Sequence, residues 1–396
     1  MRKTLFFTNG TIFTPTGEFW PGDVVVTGDR ISAVGQWPLE PPAGAEPIDL
    51  EDGYLLPGFV DVHVHGAGGA DFMDGTADAF RTVLTHHARH GTTSCTPTTT
   101  VASHARHMAF FEQVKAFQDA PPAGARVLGA HLYGPYFAKE ARGCHPAADV
   151  RPPTFDDYSA YLEYAKYLRN ATVAPELDGA EDFVKACLKA GVRCNAGHSH
   201  ATFEQMEEAV RWGVTHIDHL FCAMSDRARL RQTQTYPMRG GVMEATLFFD
   251  ELTTEIICDG KHLAPSLMKL AHKIKGPDRL AIVSDAMRGM DMPDGQYVFG
   301  PPDSDAVVWK RDGVGITPDG KALASSVTPV AHGLRTLVAA GIPFADAVRM
   351  ASLTPARIAG VEDQVGSIDV GKFADIVWMD KNLDIKGVWV GGVAVT

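Results

Sequence analysis

The middle of the chain, residues 58–357, alternates short apolar runs with amphipathic helical segments. Runs such as Phe59–Val62 and Arg193–Ala196 indicate buried strands, and Ala180–Ala190 followed by Gly191 indicates a helix with a glycine stop. Repeated strand–helix units predict a parallel sheet covered by helices, and about 300 residues suits a (β/α)8 barrel. A doubly wound sheet is the alternative, although no glycine-rich dinucleotide loop follows an early strand.

The two ends of the chain carry β-type patterns instead. Asn9-Gly10 and Gly28-Asp29 stand as turn signals between apolar runs near the start, and Gly391-Gly392 does the same near the end. We therefore expect residues 1–57 and 358–396 to form one small β-sandwich domain. Because no histidines or aspartates cluster in those segments, we expect no catalytic residue there.

Charge and cysteine usage narrow the classes of function. The net charge is −12, which repels phosphate backbones and anionic membranes, so neither nucleic acid nor a membrane is an expected partner. Six cysteines without a CxxC spacing favour reduced thiols in a cytoplasm. The apolar stretch after Met1-Arg2-Lys3 is too short for a signal peptide, and no apolar run has the roughly 20 residues of a membrane span. We therefore expect a cytoplasmic location.

Histidines follow the ends of several predicted strands, where parallel barrels place their active residues. Val60–His65 ends the first barrel strand, and alternation along a strand puts His63 and His65 on one face. Two imidazoles converging from one strand can chelate a divalent metal. A His-x-His pair alone is a weak signal that equally fits two solvated loop histidines.

Three later strand ends extend this pattern. His198 follows Arg193–Ala196, His219 follows Gly213–Thr215, and Asp285 closes the run Ala281–Ser284. Each could be a satisfied core or loop residue, but four such strand ends in order favour a metal site. Neutral imidazoles would hold the metal, which lowers the pKa of a bound water toward about 7. Asp285 could then take a proton from the attacking water and pass it to a leaving nitrogen.

A family resemblance runs through nine segments in chain order, namely Leu56–Gly66, His131–Phe137, Arg142–Pro146, Ala196–Ser199, His219–Met224, Thr254–His262, Ser284–Met287, Ala351–Arg357 and Gly366–Val377. These segments resemble the amidohydrolase superfamily and, more narrowly, the N-acetylglucosamine-6-phosphate deacetylases. The resemblance implies a (β/α)8 barrel with a small β-sandwich from both termini, which agrees with the patterns above.

The resemblance also implies roles for individual residues. His198 and His219 are then metal ligands, Asp285 is the catalytic acid/base, and His145 and His262 face the sugar. With the His-x-His pair, the expected metal ligands are His63, His65, His198, His219 and Asp285. Further expected substrate contacts are Cys222, Ala223 and Leu323, together with Arg239 as a match to the family's phosphate-contacting arginine in altered surroundings.

Two positions depart from the family pattern. Tyr133 stands where the family has a glutamate metal ligand, and a neutral phenol is a poor substitute for a carboxylate. Cys222 stands where the family has an asparagine. His63, His65, His198 and Asp285 could compensate as a one-metal site, with His219 beside it as a second ligand layer or proton shuttle. A two-metal site is the alternative. The expected cofactor is therefore one or two divalent ions, zinc in the first place, with iron, manganese or cobalt as alternatives.

The function expected from the sequence is metal-dependent hydrolysis of an amide C–N bond. The expected reaction is deacetylation of an N-acetylated amino sugar, or of its phosphate such as N-acetylglucosamine 6-phosphate. The alternatives are an amidohydrolase of another N-acyl or cyclic amide, and an inactive paralogue that only binds a sugar phosphate. We expect a small-molecule substrate and a homodimer.

Overall fold

A computed structural model describes residues 3–120, 123–233 and 236–395 of the chain. The strands are β1 (Thr4–Phe13), β2 (Phe19–Thr27), β3 (Arg30–Gln36), β4 (Glu46–Asp49), β5 (Tyr54–Pro57), β6 (Phe59–Val64), β7 (Gly66–Ala67), β8 (Ala70–Asp71), β9 (Thr92–Pro97), β10 (Arg126–Val127), β11 (Ala130–Leu132), β12 (Leu168–Val173), β13 (Arg193–Ala196), β14 (Val214–Ile217), β15 (Thr253–Ile257), β16 (Leu280–Val283), β17 (Gly295–Val298), β18 (Val307–Arg311), β19 (Val314–Ile316), β20 (Ile376–Met379), β21 (Ile385–Val390) and β22 (Val393–Ala394). The α-helices are α1 (Ala77–Arg89), α2 (His104–Asp119), α3 (Phe155–Leu162), α4 (Ala180–Lys189), α5 (Phe203–Trp212), α6 (Arg227–Leu230), α7 (Val242–Phe248), α8 (Pro265–Lys275), α9 (Val330–Ala339), α10 (Phe344–Ala351) and α11 (Leu353–Ala359).

Strands from both ends of the chain join in one sheet. Its order is β22-β21-β20-β5-β1-β2-β3, and β4 pairs with β1 on a side branch. The junction is antiparallel pairing of β5 with β20, which sets Tyr54 opposite Met379 and Pro57 opposite Ile376. The division into a terminal sandwich domain and a barrel stays a prediction, and its residues 1, 2 and 396 lie outside the described part of the chain, as do Met1 and Arg2 of the signal-peptide argument.

The turn expected at Asn9-Gly10 is instead a bulge within a single strand. β1 continues through these residues, with a register shift against β2 between Phe7 and Gly10. Asn9 has φ 55°, a left-handed backbone that asparagine adopts more readily than most residues. A turn signal with apolar runs on both sides is therefore ambiguous between a hairpin and a bulge. The turn expected at Gly28-Asp29 does connect β2 and β3.

In the middle region, β6 and β9 to β16 run parallel in a curled arrangement, whereas β7 with β8, and β17 with β18 and β19, form two small antiparallel sheets. β10, β9 and β6 form one parallel sheet, and β11 to β16 form another in unbroken chain order. A bridge between Thr98 and His131 links the two sheets. At the other edge, the Asp285 N–H donates to the His63 carbonyl at 2.9 Å, which ties the end of β16 to β6. The strand order never reverses, whereas a doubly wound sheet requires a reversal.

The parallel strands are buried on both faces, as is typical when helices cover one side and a packed interior fills the other. Every residue of β6, β9 and β16 is buried. On the outside, Phe80 of α1, Phe110 of α2 and Phe183 of α4 are fully buried in one hydrophobic cluster with strand residues. Each such side chain stabilises the fold by about 1.5–3 kcal/mol. Among the described helices, none combines the length and apolarity required to cross a bilayer.

Candidate active site

Three of the residues expected to carry chemistry have a rare backbone conformation. His198, His219 and Asp285 follow β13, β14 and β16, and their φ angles are 46°, 26° and 45°. Non-glycine residues seldom adopt this left-handed region, and it costs on the order of 1–3 kcal/mol per residue. Such residues concentrate at functional sites, where the surrounding structure holds them in place. The carboxyl edge of the parallel strands is therefore the candidate active site.

The two histidines of the first strand are each held through Nδ1. His63 Nδ1 donates to Glu255 Oε1 at 2.5 Å, and His65 Nδ1 donates to the Thr98 carbonyl at 3.3 Å. Glu255 lies on β15 and is 1% exposed. Metal-binding histidines usually donate their second ring N–H to a carboxylate or a backbone carbonyl in this way. Both Nε2 atoms are thereby directed to the centre of the site.

These two Nε2 atoms converge with the carboxylate of Asp285. Asp285 Oδ1 lies 3.3 Å from His65 Nε2 and 3.9 Å from His63 Nε2. His63 Nε2 is buried and has no hydrogen-bond partner among the described residues. All three ligand atoms lie within 4.8 Å of one another. Two imidazoles and one carboxylate are suitable ligands for zinc and related divalent ions, so these residues fit a metal.

The electrostatics of the site favour a positive charge at this position. Burial by itself lowers the pKa of His63, but the carboxylates of Glu255 and Asp285 outweigh it and raise the pKa to about 9. Burial raises the pKa of Asp285, but the facing His65 and His63 side chains outweigh it and hold the pKa well below its usual value. Asp285 is therefore an anion at neutral pH, and the same field that binds a proton on His63 would attract a metal cation.

A second group of residues meets at the hydroxyl of Tyr133, which follows β11. Tyr133 Oη lies 2.5 Å from His219 Nε2 and is also hydrogen-bonded to His198 Nε2. His198 Nδ1 donates to the Ala141 carbonyl at 2.7 Å. Burial lowers the pKa of both imidazoles and raises the pKa of the phenol well above 10, so all three groups are neutral near pH 7. Tyr133 thus occupies the space between two expected metal ligands.

A cavity of about 440 Å³ opens above this centre. Most of the residues expected from the sequence line it, namely His65, His145, His198, His219, Cys222, Ala223, His262, Asp285 and Leu323. His63 lies beneath the cavity floor and is fully buried. His262 is fixed by Asp259, whose Oδ2 lies 2.7 Å from its Nδ1. These contacts place the residues together but leave their roles as predictions.

Arg239 lies apart from the cavity residues. Its guanidinium is largely exposed and sits 3.6 Å from Glu204. Arg229 and His200 line the cavity instead. Arg229 belongs to α6, in the same long connection between β14 and α7 as Arg239.

Glu255 is the main site residue that sequence reasoning did not single out. It accepts hydrogen bonds from His63 Nδ1 and, at 3.1 Å, from His216 Nε2. The available signal is its position as a charged residue inside the β-branched segment Thr253–Ile257, because charged side chains are almost never buried without a partner.

The metal-free protein should lose stability as pH rises from about 6.5 to about 9. The His63 pKa is about 9 in the fold and about 6.5 in an unfolded chain, so the charged ring stabilises the fold fully below pH 6.5 and loses this effect through pH 9. The shift corresponds to about 3 kcal/mol. Urea unfolding of chelator-treated protein at pH 6 and pH 9 measures this loss of unfolding free energy. The control is His63→Asn, which lacks the titrating ring. Equal pH slopes for both proteins would contradict the expectation.

Imidazole and carboxylate groups gathered at the carboxyl ends of parallel strands are typical of metal-dependent α/β hydrolases. Residues 54–395 match the model of the amidohydrolase family. The chain belongs to that family, as the sequence resemblance predicted, and it is a hydrolase of C–N bonds other than peptide bonds.

Named relatives match nearly the whole chain. The N-acetylglucosamine-6-phosphate deacetylase of Vibrio furnissii is 34% identical over 381 residues, which cover 95% of this chain and 92% of the relative. The N-acetylgalactosamine-6-phosphate deacetylase of Escherichia coli O157:H7 is 32% identical over 357 residues, which cover 88% of this chain and 91% of the relative. The solved structure of a mutant N-acetyl-D-glucosamine-6-phosphate deacetylase from Mycobacterium smegmatis, in complex with N-acetyl-D-glucosamine-6-phosphate, has a TM-score of 0.89 and 29% identity, with all of both chains covered.

Proposed function

We propose that this chain removes the acetyl group from an N-acetylated hexosamine 6-phosphate in a metal-dependent reaction. The observation that carries the proposal is the convergence of His63 Nε2, His65 Nε2 and Asp285 Oδ1 below a cavity large enough for a sugar phosphate. The named relatives act on two such substrates, which differ at one sugar hydroxyl. Support for this substrate class comes from their identity of 32–34% over most of the chain.

His63, His65 and Asp285 would hold the metal, and the ligand roles that the sequence predicts for His198 and His219 stay predictions. Zinc is the proposed ion. A divalent ion there would supply Lewis acidity for the acyl carbonyl and a hydroxide nucleophile near neutral pH. Glu255 and the Thr98 carbonyl keep the two histidine rings in the ligating tautomer, because each accepts the Nδ1 proton.

Asp285 is the proposed acid/base. Its carboxylate is ionised at neutral pH, so it can accept a proton from the attacking water and return it to the departing amine nitrogen. The Ser325 hydroxyl lies 3.4 Å from Asp285 Oδ1 and also bonds the Asp285 carbonyl, which holds the side chain in orientation. The proton would pass from the water oxygen to the Asp285 carboxylate and then to the amine nitrogen. Asp285 would thus act first as the base and then as the acid.

The substrate would occupy the cavity that Asp285 lines. The proposed contacts are His145, Cys222, Ala223, His262 and Leu323. His145 Nδ1 accepts from the Val101 N–H at 3.2 Å, so its Nε2 carries the proton and can donate to a sugar or acyl oxygen. Arg239 stays a prediction as the phosphate contact, and Arg229 is the arginine available within this cavity.

The architecture proposed around this site is a closed (β/α)8 barrel of residues 58–357 with a terminal β-sandwich from residues 1–57 and 358–396. Two observations support closure, namely the unbroken order of β11 to β16 and the backbone hydrogen bond between Asp285 and His63. A homodimer and a cytoplasmic location stay predictions.

The purified protein should release acetate from N-acetylglucosamine 6-phosphate or N-acetylgalactosamine 6-phosphate, and chelation should abolish the release until a divalent ion is restored. Acetate and free amine, measured together, check both products of C–N cleavage. The unphosphorylated sugars serve as the matched control for the phosphate. Activity only on another N-acyl or cyclic amide would favour the alternative hydrolase function, which the replacement of family residues by Tyr133 and Cys222 suggests. Tight sugar-phosphate binding without turnover would favour an inactive binding protein.

A further inference from the structure

The Tyr133 hydroxyl sits where two imidazole nitrogens from neighbouring strands meet. Its Oη lies 2.5 Å from His219 Nε2 and bonds His198 Nε2 as well. Tyr133 is 2% exposed, and its ring packs edge-on against His198 and Phe137. Two Nε2 atoms from adjacent strands, both directed at one point, are the arrangement of a metal-ligand pair, yet the point is filled by a phenol oxygen.

The hydrogen-bond directions around this hydroxyl form one consistent chain. His198 Nδ1 carries its proton because it donates to the Ala141 carbonyl, so the neutral ring has a bare Nε2 that accepts the Tyr133 O–H. The phenol oxygen then accepts the N–H of His219 Nε2. His219 Nδ1 is left without a proton, and it has no hydrogen-bond partner among the described residues, as this assignment requires.

Among the described residues, no hydroxyl is hydrogen-bonded to Nε2 of His63 or His65, and these atoms face Asp285 Oδ1 at 3.9 and 3.3 Å. Both groups of described residues whose ligand atoms lie close enough to hold an ion contain His63, and neither contains His198 or His219. One of the two, formed by His63 with Asp218 and Glu255, is already closed by the 2.5 Å hydrogen bond between His63 and Glu255. At His63, His65 and Asp285, in contrast to His198 and His219, the ligand atoms face one another with no hydroxyl between them.

We propose that the Tyr133 hydroxyl takes the place of a second metal ion, so that this chain holds a single divalent cation at His63, His65 and Asp285. The inference rests on the proposed metal-dependent function. Zinc would have to lie about 2.0–2.1 Å from each imidazole nitrogen, which is the space that the phenol oxygen fills. A neutral phenol also brings no negative charge, whereas a second dication so close to the first needs an anionic ligand.

On this view His198 and His219 are positioning residues of the Tyr133 hydroxyl rather than ligands. A carboxylate at position 133 would reverse the situation, because a glutamate supplies an anionic oxygen and leaves both Nε2 atoms available. Phenylalanine at the same position supplies bulk without any ligand atom. A comparison of Tyr133→Glu with Tyr133→Phe therefore distinguishes two effects: the gain of a ligand for a second metal ion, and the loss of the hydroxyl alone.

The test is the zinc content of the purified full-length protein, reloaded with zinc alone and measured by mass spectrometry after removal of loosely bound ion. We expect one zinc per chain in the parent protein and in Tyr133→Phe, and two per chain in Tyr133→Glu. Two ions in the parent protein, or one in a folded Tyr133→Glu variant, would overturn the proposal.

Histidine variants keep the test decisive if Tyr133→Glu fails to fold. In the parent background, His198→Ala and His219→Ala should each retain one zinc per chain, and a fall to none in either would overturn the proposal. His63→Ala should lose the single ion. A parent protein that binds no zinc, iron, manganese or cobalt would instead refute the proposed metal-dependent function, which distinguishes the two failures.

Discussion

Asp285→Asn should lower kcat for acetate release by at least about 10²–10⁴-fold while the protein keeps its metal. Asparagine has nearly the same shape and still offers an oxygen, so His63 and His65 can retain the ion. Its amide is not basic, however, and cannot accept a proton from water and return it to nitrogen. The measurement pairs steady-state kinetics with metal content at saturating metal, so that a lost proton carrier is distinguished from a lost ligand.

Tyr133→Phe is the contrast to this variant, since it removes one hydroxyl from the same site without touching Asp285. Its metal content should equal that of the parent protein. Near-normal turnover in Asp285→Asn would show that the proton carrier lies elsewhere, and His219 would be the next residue to test.

Glu255→Ala should destabilise the protein by about 3–5 kcal/mol and weaken metal binding by about 10–100-fold. The Glu255 carboxylate accepts hydrogen bonds from His63 and His216, and both imidazoles are buried. Its removal leaves three buried donors without a partner, namely the two rings and the His219 backbone N–H, which bonds Glu255 Oε1 at 3.3 Å. It also frees the His63 ring to rotate away from the ion. Urea unfolding and competitive zinc titration measure the two effects.

Glu255→Gln should be milder than Glu255→Ala, because the amide keeps the volume and one oxygen acceptor. Glu204→Ala, at an exposed glutamate on α5, should change stability by no more than about 0.5 kcal/mol. If Glu255→Ala also changes the free energy of unfolding by no more than about 0.5 kcal/mol, the carboxylate does not hold His63 as the structure implies.

The sequence was sufficient for much of the site because strand ends are marked locally. Alternation along β6 put His63 and His65 on one face. The run before His198 ends with β13 at Ala196, and the runs before His219 and Asp285 end within two residues of the ends of β14 and β16. In a parallel fold, these ends meet at one edge whatever the details of packing. The gathering of these residues at one edge therefore follows from the strand pattern, while their roles stay predictions.

What the sequence left open depends on contacts between distant segments. Tyr133 meets His198 and His219 across 65 and 86 residues, and no local pattern shows that its hydroxyl would enter between them. Glu255 reaches His63 across 192 residues. The turn predicted at Asn9-Gly10 was wrong for a local reason, since a bulge and a hairpin use the same turn residues.

The pairing of β5 with β20 has a consequence for the synthesis of this protein. β5 leaves the ribosome with one edge unpaired, and the strand that covers this edge is made roughly 320 residues later. At about 5–20 residues per second, the wait is on the order of 15–60 s. Throughout that interval the nascent chain presents an open strand edge, which is a template for pairing with other chains. The period in which this strand edge is exposed thus falls during translation, and a stop before Ile376, where β20 begins, would leave the edge uncovered permanently.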